Sequence, residues 1–370
     1  MARQVLVTGG AGFIGSHTCD LLLAEGYEVR VIDSLSPQVH GNVARPDYLN
    51  KDVELIVGDV RNADMVAKAL DGVDEVLHFA ALVGVGQSMY DIAAYTGGND
   101  LGTAVLLEAI SKKPVSRLVV ASSMSVYGEG LARDSHGAEV NPSERGVEQM
   151  KRGVWELQDE SGADLSPLPT PETKAPALSS VYALNKYVQE RLCLIAGQAY
   201  GIPTVALRFF NVYGTRQALS NPYTGVLAIF ASRLLNDKPP MIFEDGLQQR
   251  DFIHVEDVAR ACLLALRSEA ATGQVLNVGS GQNRTVQSIA RDLSTALGKS
   301  IPPLITGRYR AGDIRHCFAD TRRAEKLLGF KAEKPWEQGI AELTEWLAGQ
   351  VAVDHVESAT AELEKRGLVA

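Results

Sequence analysis

Val5-Leu6-Val7-Thr8-Gly9-Gly10-Ala11-Gly12-Phe13-Ile14-Gly15 joins a short apolar run to a glycine-rich turn and the opening of a helix. Each spaced glycine has its own task. Gly9 makes the turn, Gly12 leaves bare backbone for a pyrophosphate, and Gly15 lets helix and strand pack closely. The helix N-terminus, with Phe13 and Ile14 beside it, offers amide donors and a positive dipole end to phosphate oxygens. Asp33 follows Gly15 by 18 residues and closes the second apolar run, with Ser34 next to it. A carboxylate there accepts the hydroxyls of an adenosine ribose and repels a 2′-phosphate. Ser34-Leu35-Ser36 brings no arginine or lysine to hold such a phosphate, so the residues favour NAD over NADP.

The rhythm continues outward. Apolar runs at Glu28–Ile32, Leu55–Val57, Glu75–Phe79, Arg117–Ala121 and Thr204–Phe209 alternate with helix-period segments, the longest being Val181–Ala199. Strands that read as near-continuous apolar runs, separated by helices, predict a parallel sheet covered on both faces, a Rossmann-type doubly wound α/β fold. We assign residues 1–215 plus 250–280, where Val275–Val278 reads as a strand, to this dinucleotide-binding part. Residues 216–249 and 281–346 form a smaller C-terminal α/β lobe for the substrate. Residues 141–178 break the rhythm with Pro142, Pro167, Pro169, Pro171 and Pro176 and show only a short helix pattern around Val147–Leu157. They read as an inserted loop, with a surface excursion and a wall over the substrate both open. Residues 347–370 carry a charged amphipathic helix over Val353–Gly367, a tail packing on the surface or on a partner.

Composition narrows the class. The 370 residues carry 36 basic and 45 acidic side chains, a net charge of −9, which argues against nucleic acid as a partner. No apolar run approaches the ~18 residues of a membrane span, and the first residues enter a strand pattern without a signal-peptide layout. Cys19, Cys193, Cys262 and Cys317 lie far apart without a CxxC pair, so neither a metal site nor a disulfide framework is expected. A cytoplasmic protein is the expectation.

Tyr182-Ala183-Leu184-Asn185-Lys186 sets a phenol and an ammonium one helical turn apart. The ammonium favours the phenolate and lowers a pKa that is otherwise near 10. Val119-Val120-Ala121-Ser122-Ser123-Met124-Ser125 ends a strand where ligands bind in open α/β sheets. Ser123 is the candidate hydroxyl for a reacting oxygen and Ser125 a second, with plain turn hydrogen bonds as the other reading of both. Asp59, after the third apolar run, either caps the next helix or holds an adenine amino group. Arg250 and Arg310 are the cations suited to a diphosphate, since a guanidinium grips two oxygens at once; surface salt bridges are the alternative.

GGAGFIG, Asp33, GDV, HFAA, SSMSVYG, YxxxK, RFFNVYG and RDFIHVEDVA together resemble the extended short-chain dehydrogenase/reductase family, in its nucleotide-sugar epimerase and dehydratase branch, over residues 3 to 346. The resemblance implies a tightly held NAD and a catalytic trio of Ser123, Tyr182 and Lys186. It places Val60, Phe79, Ala80, Ala81, Val83, Asn99, Ala121, Ser122, Phe209 and Val212 at the cofactor. It places Val85, Met124, Ser125 and Asn211 at the sugar or phosphate, and Asp313 at the nucleotide ribose. Tyr223, Thr224, Gly225, Val226, Ile242 and Phe243 fall near the base, and Cys317 borders the sugar or is simply a small buried thiol. Dehydratases of this branch carry Asp-Glu after the catalytic hydroxyl, and related decarboxylases carry a glutamate where Ser125 stands. Met124 and Ser125 replace them here, which leaves oxidation and re-reduction at C4, a 4-epimerisation.

Longer segments, among them VGVGQSM, NDLGTAVLLEA and NPYTGVLAIFASRLL, are similar to dTDP-L-rhamnose 4-epimerases, which make dTDP-6-deoxy-L-talose. No residue tells thymine from uracil, so other dTDP- or UDP-hexose or uronate substrates stay open. A net oxidoreductase or 4-keto reductase and a non-catalytic NAD sensor also stay open. The family further implies a homodimer formed through the helices around Asn99–Ile110 and Val181–Ala199.

Overall fold

The computed structural model describes residues 2–310 and 312–369; Met1, Ala311 and Ala370 fall within the segments assigned above but lie outside the described residues. Seven strands build the main sheet: β1 (Gln4–Thr8), β2 (Glu28–Asp33), β3 (Glu54–Val57), β4 (Glu75–His78), β5 (Arg117–Ser123), β6 (Thr204–Phe209) and β7 (Val275–Val278). Their order is β7-β6-β5-β4-β1-β2-β3, and every pairing is parallel. The fold is the expected doubly wound α/β sheet. Its order reverses between β1 and β4, and ligands of such sheets bind in the crevice beyond that switch point.

Side-chain alternation explains the two layers of helices. Val5 and Val7 pack on one face with Cys19 and Leu22 of α1 (Phe13–Ala24) and Ala261 of α5 (Val255–Arg267). Leu6 points to the other face, with Val66 of α2 (Ala63–Ala69), Leu106 and Ile110 of α3 (Gly102–Lys112) and Cys193 of α4 (Val181–Tyr200). All four cysteines are free and buried. The helix expected from Asn99 begins as wide π-type turns over Thr96–Leu101 before it tightens into α3.

A second group of elements surrounds strand Gln249–His254. It pairs with Asn211–Tyr213 and His316–Cys317 in parallel and with Asn283–Thr285 antiparallel. Helices Val226–Leu235, Val286–Ala296 and Trp336–Leu347 supply its apolar core. The tail forms helix Val356–Lys365, shorter than the pattern over Val353–Gly367. Arg308 pairs with Glu364 at 2.6 Å, and Arg233 pairs with Asp354 and Glu357 at 3.2 and 2.9 Å.

Residues 141–178 are built into the molecule. The helix expected over Val147–Leu157 ends at Lys151, because Gly153 turns left-handed at φ +70°. Beyond it, Glu156 accepts from Arg315 Nε at 3.1 Å and lies 2.7 Å from His316 Nε2. Arg145 donates to the carbonyls of Trp155 and Asp313 at 3.1 and 2.9 Å and pairs with Glu244 at 2.9 Å. Buried charges therefore bolt this segment to the second group of elements.

Candidate active site

The crevice is a cavity of about 740 Å³ along the C-terminal ends of the strands, floored by the glycine turn. Gly9 takes φ +70°, and a Cβ on it would stand 2.8 Å from the Ala80 backbone nitrogen. A Cβ on Gly15 would stand 2.5 Å from the Gly9 carbonyl oxygen, whereas one on Gly12 would meet only that oxygen, at 3.3 Å. Two glycines are thus demanded by packing and the third leaves a cradle. Helix α1 starts there with no side-chain cap and no acidic residue in its first turn, so its amides and dipole end remain for an anion.

Asp33 is held in place. Its carboxylate accepts from the Ala11 and Leu35 amides, both at 3.0 Å, and lines the cavity with Ser34. Asp59 also lines it, but caps nothing: Asn62 caps α2, and Asp59 grips Arg61 through contacts of 2.6 to 3.0 Å. That pairing holds the Asp59 carboxyl below its usual range and neutralises Arg61, a cavity-lining cation that sequence reasoning missed. The groove fits a dinucleotide whose ribose carries free hydroxyls.

Phe13, Ile14, Val60, Phe79, Ala80, Ala81, Val83, Ala121, Ser122, Phe209 and Val212 line the same cavity. Asn99 stands behind it, fully buried, and clasps Leu82 through both the amide (2.7 Å) and the carbonyl (3.1 Å). Ser122 turns its hydroxyl away to Glu190 at 2.7 Å.

Ser123, Tyr182 and Lys186 come together on one wall, with Asn211 also on the cavity. Strand β5 delivers Ser123 at its last position, and α4, capped by Ser180 on the Ala183 amide, delivers the other two from one face. Ser123 Oγ accepts from the Ser125 amide and hydroxyl at 3.1 and 2.9 Å, so both serines make the turn hydrogen bonds of the other reading, while Ser123 also lines the cavity. Burial pushes the Tyr182 phenol up to about 12, with the Ser123 hydroxyl opposing it. Burial likewise pulls the Lys186 ammonium down to about 8. Lys186 Nζ bonds Gln189 Oε1 at 2.9 Å, and the Tyr182 phenol, raised by burial, stands above its ordinary value where the YxxxK spacing led to the expectation of a lowered one.

The remaining candidates divide. Thr224, Gly225 and Val226 line the cavity. Met124 and Ser125 are buried beside it, and Tyr223 receives the Tyr90 hydroxyl at 2.6 Å and stands against Gly84, the residue before Val85. Ile242 is buried, and Phe243 carries the Arg310 guanidinium 5.5 Å above its ring. Arg250 donates to the carbonyls of Gln249, Arg315 and Ile314 and lies 3.9 Å from Asp313. Cys317 lies against Thr170 with its thiol pushed up to about 12 by burial. Gln217, Asn221 and Phe252 also line the cavity and were missed. Phe252 was findable from strand alternation in RDFIHV; the loop residues Gln217 and Asn221 give no local signal.

A dinucleotide crevice with a Ser-Tyr-Lys wall defines a cofactor-dependent enzyme of sugar or alcohol chemistry. The model of the NAD dependent epimerase/dehydratase family matches residues 5–145 and 161–279. The chain is 36% identical to a dTDP-L-rhamnose 4-epimerase of Burkholderia thailandensis, covering 94% of this chain and 96% of that one. Among solved structures, the UDP-glucose 4-epimerase of Thermotoga maritima with UDP-glucose superposes with a TM-score of 0.77 at 30% identity, covering 94% and 99%. That of Thermus thermophilus in complex with NAD gives 0.74 at 31%, covering 94% and 100%. This chain belongs to the NAD dependent epimerase/dehydratase family; it is an epimerase-type enzyme and its cofactor is NAD.

Proposed function

We propose that the chain interconverts C4 epimers of a nucleotide-diphosphate sugar, with dTDP-L-rhamnose and dTDP-6-deoxy-L-talose as the pair. One observation carries this reading. Ser123, Tyr182 and Lys186 meet on one cavity wall, and Met124 and Ser125, not an acid pair, follow Ser123. Gly12, the α1 amides and Asp33 would hold NAD, which would supply the hydride acceptor and donor for C4. Tyr182 removes the C4 hydroxyl proton and gives it back, Ser123 bonds the same oxygen, and Lys186 favours the phenolate. Arg250, Arg310 and Asn211 hold the diphosphate while the sugar turns. Asp313 takes the ribose, Tyr223–Val226 with Ile242–Phe243 take the base, and Val85 and Cys317 border the sugar. The dTDP-sugar is favoured by the likeness to the Burkholderia enzyme.

The enzyme works as a homodimer in the cytoplasm. Leu101, Leu184 and Ile195, on the turns before α3 and on α4, stand 53%, 46% and 56% exposed, an apolar surface suited to a second copy. The test is to incubate the protein separately with dTDP-L-rhamnose and UDP-glucose and follow the anomeric and H4 proton signals by NMR. Interconversion without added cofactor is expected. A steady rise at 340 nm under turnover would replace the reading with a net oxidoreductase. Tyr182→Phe is expected to cut the rate on the order of 10³-fold while bound NAD stays unchanged, the scale of a lost general base.

A further inference from the structure

A line of buried polar side chains runs behind the cavity from the glycine-turn strand to Lys186. Thr8, His78, Thr103, Gln189 and Lys186 are all buried. Gln189 Oε1 accepts from Lys186, and Gln189 Nε2 donates to Thr103 Oγ1 at 2.9 Å and to the Ala80 carbonyl at 3.3 Å. The Thr103 hydroxyl donates to the Asn99 carbonyl at 2.6 Å. His78 sits between two hydroxyls, with Nε2 2.8 Å from Thr103 Oγ1 and Nδ1 2.8 Å from Thr8 Oγ1. Thr8 Oγ1 also accepts from the Ala80 amide at 3.1 Å.

Gln189 Nε2 also stands 3.4 Å from His78 Nε2, and with the Thr103 proton given to Asn99 the shorter contacts set the direction of this chain. Thr103 has given its only proton to Asn99, so it accepts from both Gln189 and His78. His78 therefore carries its proton on Nε2, and Nδ1 accepts from Thr8. Burial pulls His78 down to about 3, so it stays neutral and the direction holds. Both amide protons of Gln189 are engaged. A flipped carboxamide would set its NH₂ against the ammonium and its oxygen against the Ala80 carbonyl, so Oε1 stays aimed at Lys186.

We propose that Gln189 is a positioning residue for Lys186, whose carboxamide fixes the ammonium without neutralising it. A carboxylate in its place would pair with the ammonium and cancel the charge that favours the phenolate. An apolar side chain would leave the head group without a partner. An amide oxygen avoids both. The other ionisable groups facing Lys186 leave that task open. Glu190, on the same helix, is already bonded by Arg208 at 2.7 and 2.9 Å and by Ser122. The Cys193 thiol is pushed up to about 12 by burial, Tyr182 is neutral, and His78 is neutral. The inference rests on the catalytic reading of Lys186 given above.

The test is direct titration of Lys186 in NAD-free protein carrying ¹³C-labelled lysine, its resonance assigned by loss in Lys186→Met. Wild type is expected to titrate near pH 8. Gln189→Leu is expected to lower the midpoint by about one unit, tenfold in acidity, and Gln189→Glu to raise it by about one unit. A purely structural role would shift the thermal midpoints of both variants without moving Lys186 in opposite directions. Midpoints within about 0.3 units of wild type in both variants overturn the proposal. Should Gln189→Leu fail to fold, Gln189→Met, closer in length, takes its place with the same expected sign. The titration needs no substrate. Opposite shifts in a protein that shows no epimerisation would uphold the positioning and sink the catalytic reading instead.

Discussion

The cofactor half and the substrate half of this molecule are held by different physics. Around the dinucleotide crevice, backbone does the shaping: bare glycines, uncapped amides, and strands such as Val5–Val7 with no exposed surface. On the other side, charges taken out of water do it. Arg315, fully buried, meets Glu244 at 2.9 Å, Asp245 at 2.7 and 2.9 Å, and Glu156. Its own amide and that of His316 end on Glu129, at 2.8 and 3.2 Å. Two guanidiniums, Arg145 and Arg315, face four carboxylates, and burial pushes Glu129 up to about 7 against the pull of those amides and Arg145. A backbone cradle is specified by what neighbouring residues lack. An ion cluster is specified by partners far apart in the chain.

The largest expected effect tests the ion side. Arg315→Met leaves Glu156, Glu244 and Asp245 without their shared cation, and removing one partner of a buried charge group costs about 3–5 kcal/mol. The urea midpoint should fall accordingly, and the nucleotide-sugar KM should rise more than NAD retention falls. A loss under ~1 kcal/mol would mean that water reaches the cluster, and the contrast between the halves would fail.

This contrast also explains what could be read from the sequence. The glycine turn, Asp33, the Ser123 segment and the Tyr182–Lys186 pair are local patterns whose chemistry follows from spacing, and the crevice assembles them. The seven strands follow from near-continuous apolar runs, down to Thr204–Phe209 and Val275–Val278. Arg315 escaped notice in RYRAGDIRH, where Arg310 stands out equally, because its partners come from positions 129, 156 and 244–245. Residues 141–178 looked structureless for the same reason. Their order comes from Arg145 and Glu156 reaching other segments, not from periodicity. Of the two roles left open for Asp59, the cap falls to Asn62, and Arg61, two residues on, holds the Asp59 carboxylate.

A smaller effect separates two glycines a turn apart. Gly9→Ala meets both a left-handed backbone and the Ala80 amide 2.8 Å away, and should destabilise the fold by about 2–3 kcal/mol. Gly12→Ala places its methyl in the cradle, so stability should change by less than about 0.5 kcal/mol, a surface-sized effect. Its NAD affinity should still drop on the order of tenfold, about 1.4 kcal/mol of lost phosphate contact. Calorimetry of the NAD-free proteins and NAD titration measure the two losses separately. Equal stability losses for the two variants would show that the cradle is a packing feature and not a ligand site.

The last effect has the opposite sign to that of Arg315, which makes it the sharper probe. Lys186 is a buried charge within the backbone-built half, with an amide for a partner in place of a carboxylate. Its folded value, about 8, lies below the ordinary 10.5. The unfolded chain therefore binds the proton more tightly, and stability rises as pH climbs from 8 towards 10.5. Below pH 8 the full penalty of the buried ammonium is present, about 3 kcal/mol by linkage. Lys186→Met removes that penalty but leaves Gln189 Oε1 without a donor, a loss of about 1 kcal/mol. The NAD-free variant should thus be about 2 kcal/mol more stable than wild type at pH 7, and the gain should vanish by pH 10.5. Urea unfolding at the two pH values measures both. A Lys186→Met protein less stable than wild type at pH 7 would show that the ammonium is a structural ion like Arg315, not a charge held at a cost for chemistry.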